Sequence, residues 1–273
     1  MFASPGEGIR IYMNRIDKKF MQLKKQNKKA FIAFISAGFP DLSTTLKLVI
    51  ELEKKGVDII ELGVPFSDPL ADGPTIQEAS GYALSQGTNL VKILDLVKQL
   101  RKQVSLPICL MTYYNPVFCF REKKFVDQAI AAGVDGVIIP DLPYEEAKKF
   151  RHYAQQKGLV NICFLSPTSS VARIKAVLKL ARGFIYYVSL TGVTGGRKRL
   201  AVDLKTKLAV IKKLTTKPVC VGFGISSARQ VKVVRGISDG VIIGSAIVAK
   251  IKENMGNRNL VQKVGNFVER LNV

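Results

Sequence analysis

Short apolar runs, rich in β-branched and aromatic residues, alternate with helical patterns along the whole 273-residue chain. The runs are nearly continuously apolar, which is typical of parallel strands that are buried on both faces. Eight such runs occur, at residues 31–38, 57–62, 107–114, 135–141, 161–166, 184–190, 218–224 and 239–245. Eight alternating units predict an α/β fold of the (β/α)8 TIM-barrel type, with an open doubly wound sheet as the alternative.

Helical patterns separate most of these runs. They cover residues 43–56, 90–104, 144–157, 169–181, 203–215 and 226–235, and two more flank the set at about 8–26 and about 259–272. The units GVDIIELGVP, GVDGVIIPDLP and SDGVIIGSAI are similar to one another, as the repeated units of a closed barrel are. No linker or low-complexity stretch divides the chain, so we predict a single domain over 1–273 with an extra N-terminal helix.

The composition favours a soluble protein with a large core. Hydrophobic residues make up 47 %, which is too many for a disordered chain. No apolar run approaches the roughly 18 residues that cross a bilayer, and the first 15 residues contain no apolar signal segment. We therefore expect a cytoplasmic protein without a membrane partner, or one in the plastid stroma.

The cysteines and the one histidine exclude several kinds of chemistry. Cys109, Cys119, Cys163 and Cys220 each lie between apolar neighbours and form no CxxC pair, so we expect reduced core cysteines and no metal site. His152 lies in a helical pattern and is expected at the surface or in packing. Acid–base chemistry would then fall to carboxylates, tyrosine or lysine.

The chain has 42 Lys and Arg against 21 Asp and Glu, a formal net charge of +21. Such a charge can indicate nucleic-acid binding. The cations, however, lie in segments that have the pattern of solvated helix faces, and no RNA-binding or zinc-finger signature is present. We therefore attribute the charge to solvated faces and compositional bias, and expect no nucleic-acid partner.

The segment ELGVPFSDPLADGPTIQ, residues 61–77, carries the strongest candidates for catalysis. Glu61 ends a buried strand, where an ionisable group is costly unless it has a partner or a use. Asp72 follows on a loop stiffened by Pro and Gly. Together they predict an acid–base pair, while a hydrogen-bonded glutamate and an ordinary turn aspartate are the alternatives. No Lys or Arg occurs in 56–91, and we expect burial to raise the pKa of Glu61.

Glycine-containing turns follow the last three strand patterns. They are GVTGG at 192–196, GFGIS at 222–226 and GSA at 244–246. Loops after strands seven and eight commonly bind phosphate in this fold, so a phosphorylated substrate is predicted, although each turn alone is explained by turn geometry. The charged segment 191–199 fits a closing lid or an ordinary exposed loop equally well.

Residues 61–77 resemble the signature of the tryptophan synthase alpha chain family. Further similar motifs follow the family's order: FISAGFPD, MTYYNPVF, PDLPYEE, GVTG, GFGIS and GSAIV. The resemblance implies a lyase that cleaves indole-3-glycerol phosphate to indole and glyceraldehyde 3-phosphate by a retro-aldol step, with no cofactor in this chain.

The resemblance also implies roles for single residues. Glu61 would be the main acid–base group, Asp72 would hold the indole N–H, and Thr194 would tie the closing loop to Asp72. The remaining implied substrate-binding residues are Tyr186, Phe223 and Tyr113, and the implied phosphate-binding residues are Gly195, Gly224, Gly244 and Ser245.

The implied partner is the tryptophan synthase beta chain in an α2β2 assembly, to which indole would pass through a tunnel. Pyridoxal phosphate is expected only in that beta chain. Pro65 and Asp68 would lie at the contact between the subunits. A stand-alone indole-releasing lyase and a catalytically silent allosteric partner of the beta chain are the alternatives.

Overall fold

The computed structural model describes residues 13–189, 197–222 and 224–272. Within these ranges eight parallel strands form a closed barrel in chain order, and the last strand pairs with the first. Closure confirms the predicted (β/α)8 barrel and excludes the open sheet. The strands are β1 Ala30–Ser36, β2 Ile59–Gly63, β3 Ile108–Met111, β4 Gly136–Ile138, β5 Val160–Leu165, β6 Ile185–Val188, β7 Val219–Gly222 and β8 Gly240–Ile243.

The described helices surround the barrel, and one of them covers the end at which the strands begin. They are α1 Arg15–Lys25, α2 Leu42–Lys54, α3 Pro74–Ser85, α4 Leu90–Leu100, α5 Tyr114–Phe120, α6 Glu122–Ala132, α7 Lys148–Gln156, α8 Val171–Leu180, α9 Arg197–Leu214, α10 Ala228–Arg235, α11 Ser245–Lys252 and α12 Leu260–Leu271. The helical patterns did not predict α3, α5, α6 or α11. The third strand also ends earlier than predicted, because Tyr114 already begins α5.

Successive residues of each strand point alternately into the barrel and toward the helices. On β2, Ile59 and Glu61 share the inward parity, and Ile60 and Leu62 pack in the outer core under the helices. Ile59 belongs to an inner cluster with Ala30, Ile32, Cys109, Ile138, Val160, Ile162, Phe184, Cys220 and Ile242. Glu61 thus continues the inward row of β2 toward the C-terminal mouth of the barrel.

Helix α1 covers the N-terminal end of the barrel. Asn14 accepts a hydrogen bond from the Ile16 N–H as the N-cap, and its amide donates to the carbonyl of Asp135 at 3.0 Å. Ile16, Phe20 and Leu23 join the inner cluster of the barrel. These side chains fill the N-terminal opening of the barrel, so among the described residues the inner face opens toward the C-terminal mouth.

The cysteine prediction is correct at three positions and wrong at one. Cys109, Cys163 and Cys220 are buried free thiols, whereas Cys119 is exposed. Cys119 lies on α5, a helix of seven residues at the surface, where its apolar neighbour Phe118 is also exposed. His152 is exposed on α7, as expected. In the described part of the chain, no helix is both long and apolar enough to span a bilayer.

Candidate active site

Glu61 is the most unusual ionisable group of the described chain. Its side chain is fully buried, and neither carboxyl oxygen has a hydrogen-bond partner among the described residues. Burial raises the pKa of Glu61 to about 8, and no basic side chain of the described residues opposes this effect. The absence of cations in 56–91 agrees with this result, and the predicted rise in pKa is confirmed.

The surroundings of Glu61 explain its desolvation. Glu61 is aligned across the sheet with Phe34 on one side and Cys109 on the other. Gly63, the next inward residue of β2, must lack a side chain, because a Cβ there would lie 2.6 Å from the Phe34 ring. The ring therefore lies against the backbone beside Glu61 and contributes an apolar wall. Sequence reasoning missed Phe34, although its inward parity on β1 could have revealed it.

Asp72 lies just before the first turn of α3 and is held by Tyr113. The Tyr113 hydroxyl donates to Asp72 Oδ2 at 3.0 Å and accepts from the Ala71 N–H at 2.9 Å. Tyr113 is buried, and its ring lies 5.3 Å from that of Phe66. Burial raises the pKa of Asp72, and the hydrogen bond from Tyr113 opposes this rise. The hydroxyl of Tyr113, expected to contact substrate, is thus engaged in holding the loop.

The loop between β2 and α3 also presents a surface. The Phe66 N–H donates to the Ser80 hydroxyl at 2.9 Å, which anchors the loop to α3. Of the two residues expected at a subunit contact, Pro65 is buried in this chain and Asp68 is exposed. Leu70, which sequence reasoning did not single out, is 93 % exposed and is the most exposed large apolar side chain described.

Tyr186 points into the barrel from β6. Its ring centroid lies 5.0 Å from that of Phe164 on β5. A Cβ at Gly222 would lie 2.7 Å from the Tyr186 hydroxyl, so glycine on β7 makes room for this phenol. Burial raises the pKa of Tyr186 well above its usual value, and the charges of Glu61 and Asp72 raise it further. The site thus brings together Tyr186, Glu61 and Asp72.

Three of the predicted phosphate-binding residues, Gly224, Gly244 and Ser245, lie at the same mouth, after β7 and β8. Gly224 has a φ of +67°, a conformation that favours glycine. Gly244 is the N-cap of α11 and Ser245 is its first residue, so first-turn N–H groups are available there. Thr194, Gly195 and Phe223 lie outside the described residues, as does most of the expected lid at 191–199.

The fold and the site define a TIM-barrel protein with a buried carboxylic acid of near-neutral pKa at its C-terminal mouth, a group suited to general acid–base catalysis. The family model of the tryptophan synthase alpha chain matches residues 20–273. The chain belongs to this family, and the resemblance noted in its sequence is confirmed.

Individual relatives agree over nearly the whole length. The chain is 52 % identical to the tryptophan synthase alpha chain of Geotalea uraniireducens, covering 95 % of this chain and 97 % of the relative. The tryptophan synthase alpha chain of Geobacter sulfurreducens is 49 % identical, with 95 % and 98 % covered.

Solved structures show the same fold. The crystal structure of tryptophan synthase subunit alpha from Legionella pneumophila str. Paris has a TM-score of 0.89 at 37 % identity, over 95 % of this chain and 97 % of that one. Tryptophan synthase from M. tuberculosis in its aminoacrylate-bound form has a TM-score of 0.85 at 30 % identity, over 95 % and 98 %.

Proposed function

We propose that this chain is the alpha subunit of a tryptophan synthase and cleaves indole-3-glycerol phosphate to indole and glyceraldehyde 3-phosphate. The observation that carries the proposal is Glu61, an unpaired inward carboxyl group whose pKa of about 8 lets it both give and take a proton near neutral pH. Membership of the family supports the choice of substrate.

In the proposed reaction, protonated Glu61 donates its proton to C3 of the indole ring. The ring loses its aromaticity and gains a positive charge that is shared with its nitrogen. The Glu61 carboxylate then takes the proton of the glycerol hydroxyl next to the ring. As that hydroxyl becomes an aldehyde, the carbon–carbon bond breaks and its electrons restore the indole ring. Glu61 ends with the proton count it began with, so no other acid–base group is required.

Asp72 supplies the opposing charge in this proposal. Its carboxylate accepts a hydrogen bond from the indole N–H. It also stabilises the ring cation, which exists only during the reaction. Tyr113 supports this role because it fixes one carboxylate oxygen and leaves the other for the substrate. Tyr186 and Phe164 form an aromatic wall on which the indole ring packs.

The phosphate of the substrate is proposed to bind at the loops after β7 and β8. The N-terminus of α11 at Gly244 and Ser245 supplies backbone donors and a favourable dipole. Gly224 lies in the adjacent loop after β7, and Gly195, Phe223 and Thr194 would complete the site as the family pattern implies. This end binds and orients the substrate while the carboxyl groups act on the ring.

A tryptophan synthase beta chain is the proposed partner, in an α2β2 assembly. Asp68 and Leu70 are exposed on the loop that carries Asp72, so a subunit bound there would contact the active-site loop directly. Pro65, buried in the same loop, would act by holding the loop's path. Pyridoxal phosphate would belong to the beta chain alone, and the bacterial relatives support a cytoplasmic location.

An indole-release assay with and without the cognate beta chain tests this function. We expect Glu61→Gln to lower the rate by at least about 100-fold, the scale of lost general acid–base catalysis, while binding to the beta chain is kept. Glu78→Gln, at an exposed position on α3, is the matched control and should keep full activity. Near-normal turnover of Glu61→Gln would refute the assignment. Full activity of the native chain without the beta chain would support a stand-alone lyase. No activity with or without the beta chain would support a catalytically silent partner.

A further inference from the structure

Most of the net positive charge of the protein comes from one part of the chain. Residues 147–238 contain nineteen Lys and Arg and a single acidic residue, Asp203. The other 181 residues contain 23 Lys and Arg and 20 Asp and Glu, so they are nearly neutral. The stretch runs from α7 to α10 and includes β5, β6 and β7. These strands are neighbours in the barrel, so the described part of the stretch forms one flank. An even compositional bias does not account for this distribution.

An open cavity of about 610 Å³ lies on this cationic flank. It is formed by α8, the last turn of α9 and the loop that leads into β7, so it lies at the N-terminal end of the strands, away from the catalytic mouth. Its lining consists of Lys175, Leu178, Lys179, Lys212, Lys213, Leu214, Thr215, Thr216 and Lys217, and we call it the lysine cavity. Its described lining contains no acidic residue.

Two of the five lysines have structural partners. Lys212 forms an ion pair with Asp239 at 2.9 Å, and Lys217 donates to the carbonyl of Leu178 at 2.8 Å. Lys175, Lys179 and Lys213 are exposed and have no acidic partner within the described residues. Their charges point to a ligand that supplies several negative charges at once.

Helix ends explain only part of this cluster. Lysines in the last turn of a helix interact favourably with its dipole, and α8 and α9 both end here. Two helix C-termini together amount to about one negative charge, and Asp239 is shared with Lys29. Five lysines exceed these charges, and Lys175 lies before the last turn of α8.

We propose that the lysine cavity binds a small anion with several phosphate groups. Its volume lies in the range of about 300–1,000 Å³ that ligand sites occupy. Lysine is a point charge that accommodates phosphate oxygens in many orientations, and the two threonine hydroxyls add neutral donors. The lining has no aromatic ring on which a base could stack, which favours a phosphate chain over single-stranded nucleic acid.

Isothermal titration with inorganic triphosphate at about 0.1 M salt tests the proposal. We expect one ion to bind per chain. The combined variant Lys175→Gln, Lys179→Gln, Lys213→Gln should weaken binding at least about tenfold, which corresponds to about 1.4 kcal/mol. The matched control removes three exposed lysines from the nearly neutral part of the chain, Lys54→Gln, Lys102→Gln, Lys263→Gln, and should change affinity less than about twofold.

Several results would overturn the lysine cavity as a site. They are the absence of triphosphate binding, an equal loss of affinity in both variants, and tighter binding of a DNA duplex of about 20 base pairs than of triphosphate. Circular dichroism of both variants confirms that they fold, as expected for exposed positions. Both should also release indole normally, since the cavity is remote from Glu61, so this test is independent of the proposed enzyme activity.

Discussion

Glu61 should make the protein less stable as the pH rises, and its replacement by glutamine should remove that loss. In the unfolded chain a glutamate has a pKa near 4.5, whereas in the fold burial raises the pKa of Glu61 to about 8. Between these values the folded protein keeps a proton that the unfolded chain has released. The free energy of unfolding therefore falls with pH in this window, because the unfolded state binds fewer protons.

The size of the effect follows from the two pKa values. For a single group with these values, the contribution to the free energy of unfolding falls by about 3 kcal/mol between pH 5 and pH 8. Glutamine has nearly the same shape and does not ionise. Glu61→Gln should therefore have similar stability to the native chain at pH 5 and exceed it by about 3 kcal/mol at pH 8.

Urea unfolding followed by circular dichroism, with native chain and variant measured at pH 5, 6.5 and 8, gives the difference directly. Every other titrating group is shared by the two proteins and cancels in the comparison. A difference between native and variant that stays constant from pH 5 to pH 8 would refute the buried, unpaired state of Glu61. If Glu61→Gln is inactive but more stable than the native chain at pH 8, the catalytic group lowers the stability of the fold.

Tyr113→Phe removes the hydroxyl that donates to Asp72, and we expect kcat/KM for indole release to fall about tenfold, measured by steady-state kinetics. Gly63→Ala places a methyl group against the Phe34 ring, and we expect the free energy of unfolding in urea to fall by about 1–3 kcal/mol.

Each of these predictions has a matched control. Tyr114→Phe removes a neighbouring hydroxyl that donates to Glu122 on α6, and kinetics equal to those of Tyr113→Phe would contradict the role of the Asp72 bond. Gly81→Ala adds a methyl group on α3 that meets no atom within 4 Å beyond its chain neighbours and the backbone of its own helix, and should be neutral or slightly stabilising. Equal losses of stability in both glycine variants would contradict the close approach of the Phe34 ring.

The barrel could be predicted because its strands are apolar on both faces and are recognisable one by one. Helix α3 could not be predicted, because its buried residues are small. Ala79, Ser80 and Ala83 give no apolar stripe. Helix α5, of only seven residues, is too short to establish a period. Small buried side chains and short length thus explain why α3 and α5 were missed, whereas α6 and α11 were missed although they bury large side chains such as Phe125 and Ile247.

The carboxyl groups of the site were predictable from where strand and loop meet, but their surroundings were not. The bond between Tyr113 and Asp72 joins residues 41 positions apart, and the unpaired state of Glu61 depends on every strand around it. Pro65 looked like a surface residue in its loop and is buried. Such features depend on long-range packing, which periodicity does not encode.

Helix α1 has a consequence for the synthesis of the chain. Its contacts lie far along the sequence: Arg15 pairs with Asp135 at 2.9 Å, and the Phe20 ring lies 5.7 Å from that of Phe184. Because domains emerge from the ribosome N-terminal end first, α1 is made before every strand that it contacts. Its apolar face therefore stays partly uncovered until β6 has been synthesised, and only a nearly complete barrel makes all of its contacts. A chaperone that binds this helix would delay closure, whereas nascent chains stopped before β6 would leave it accessible to protease.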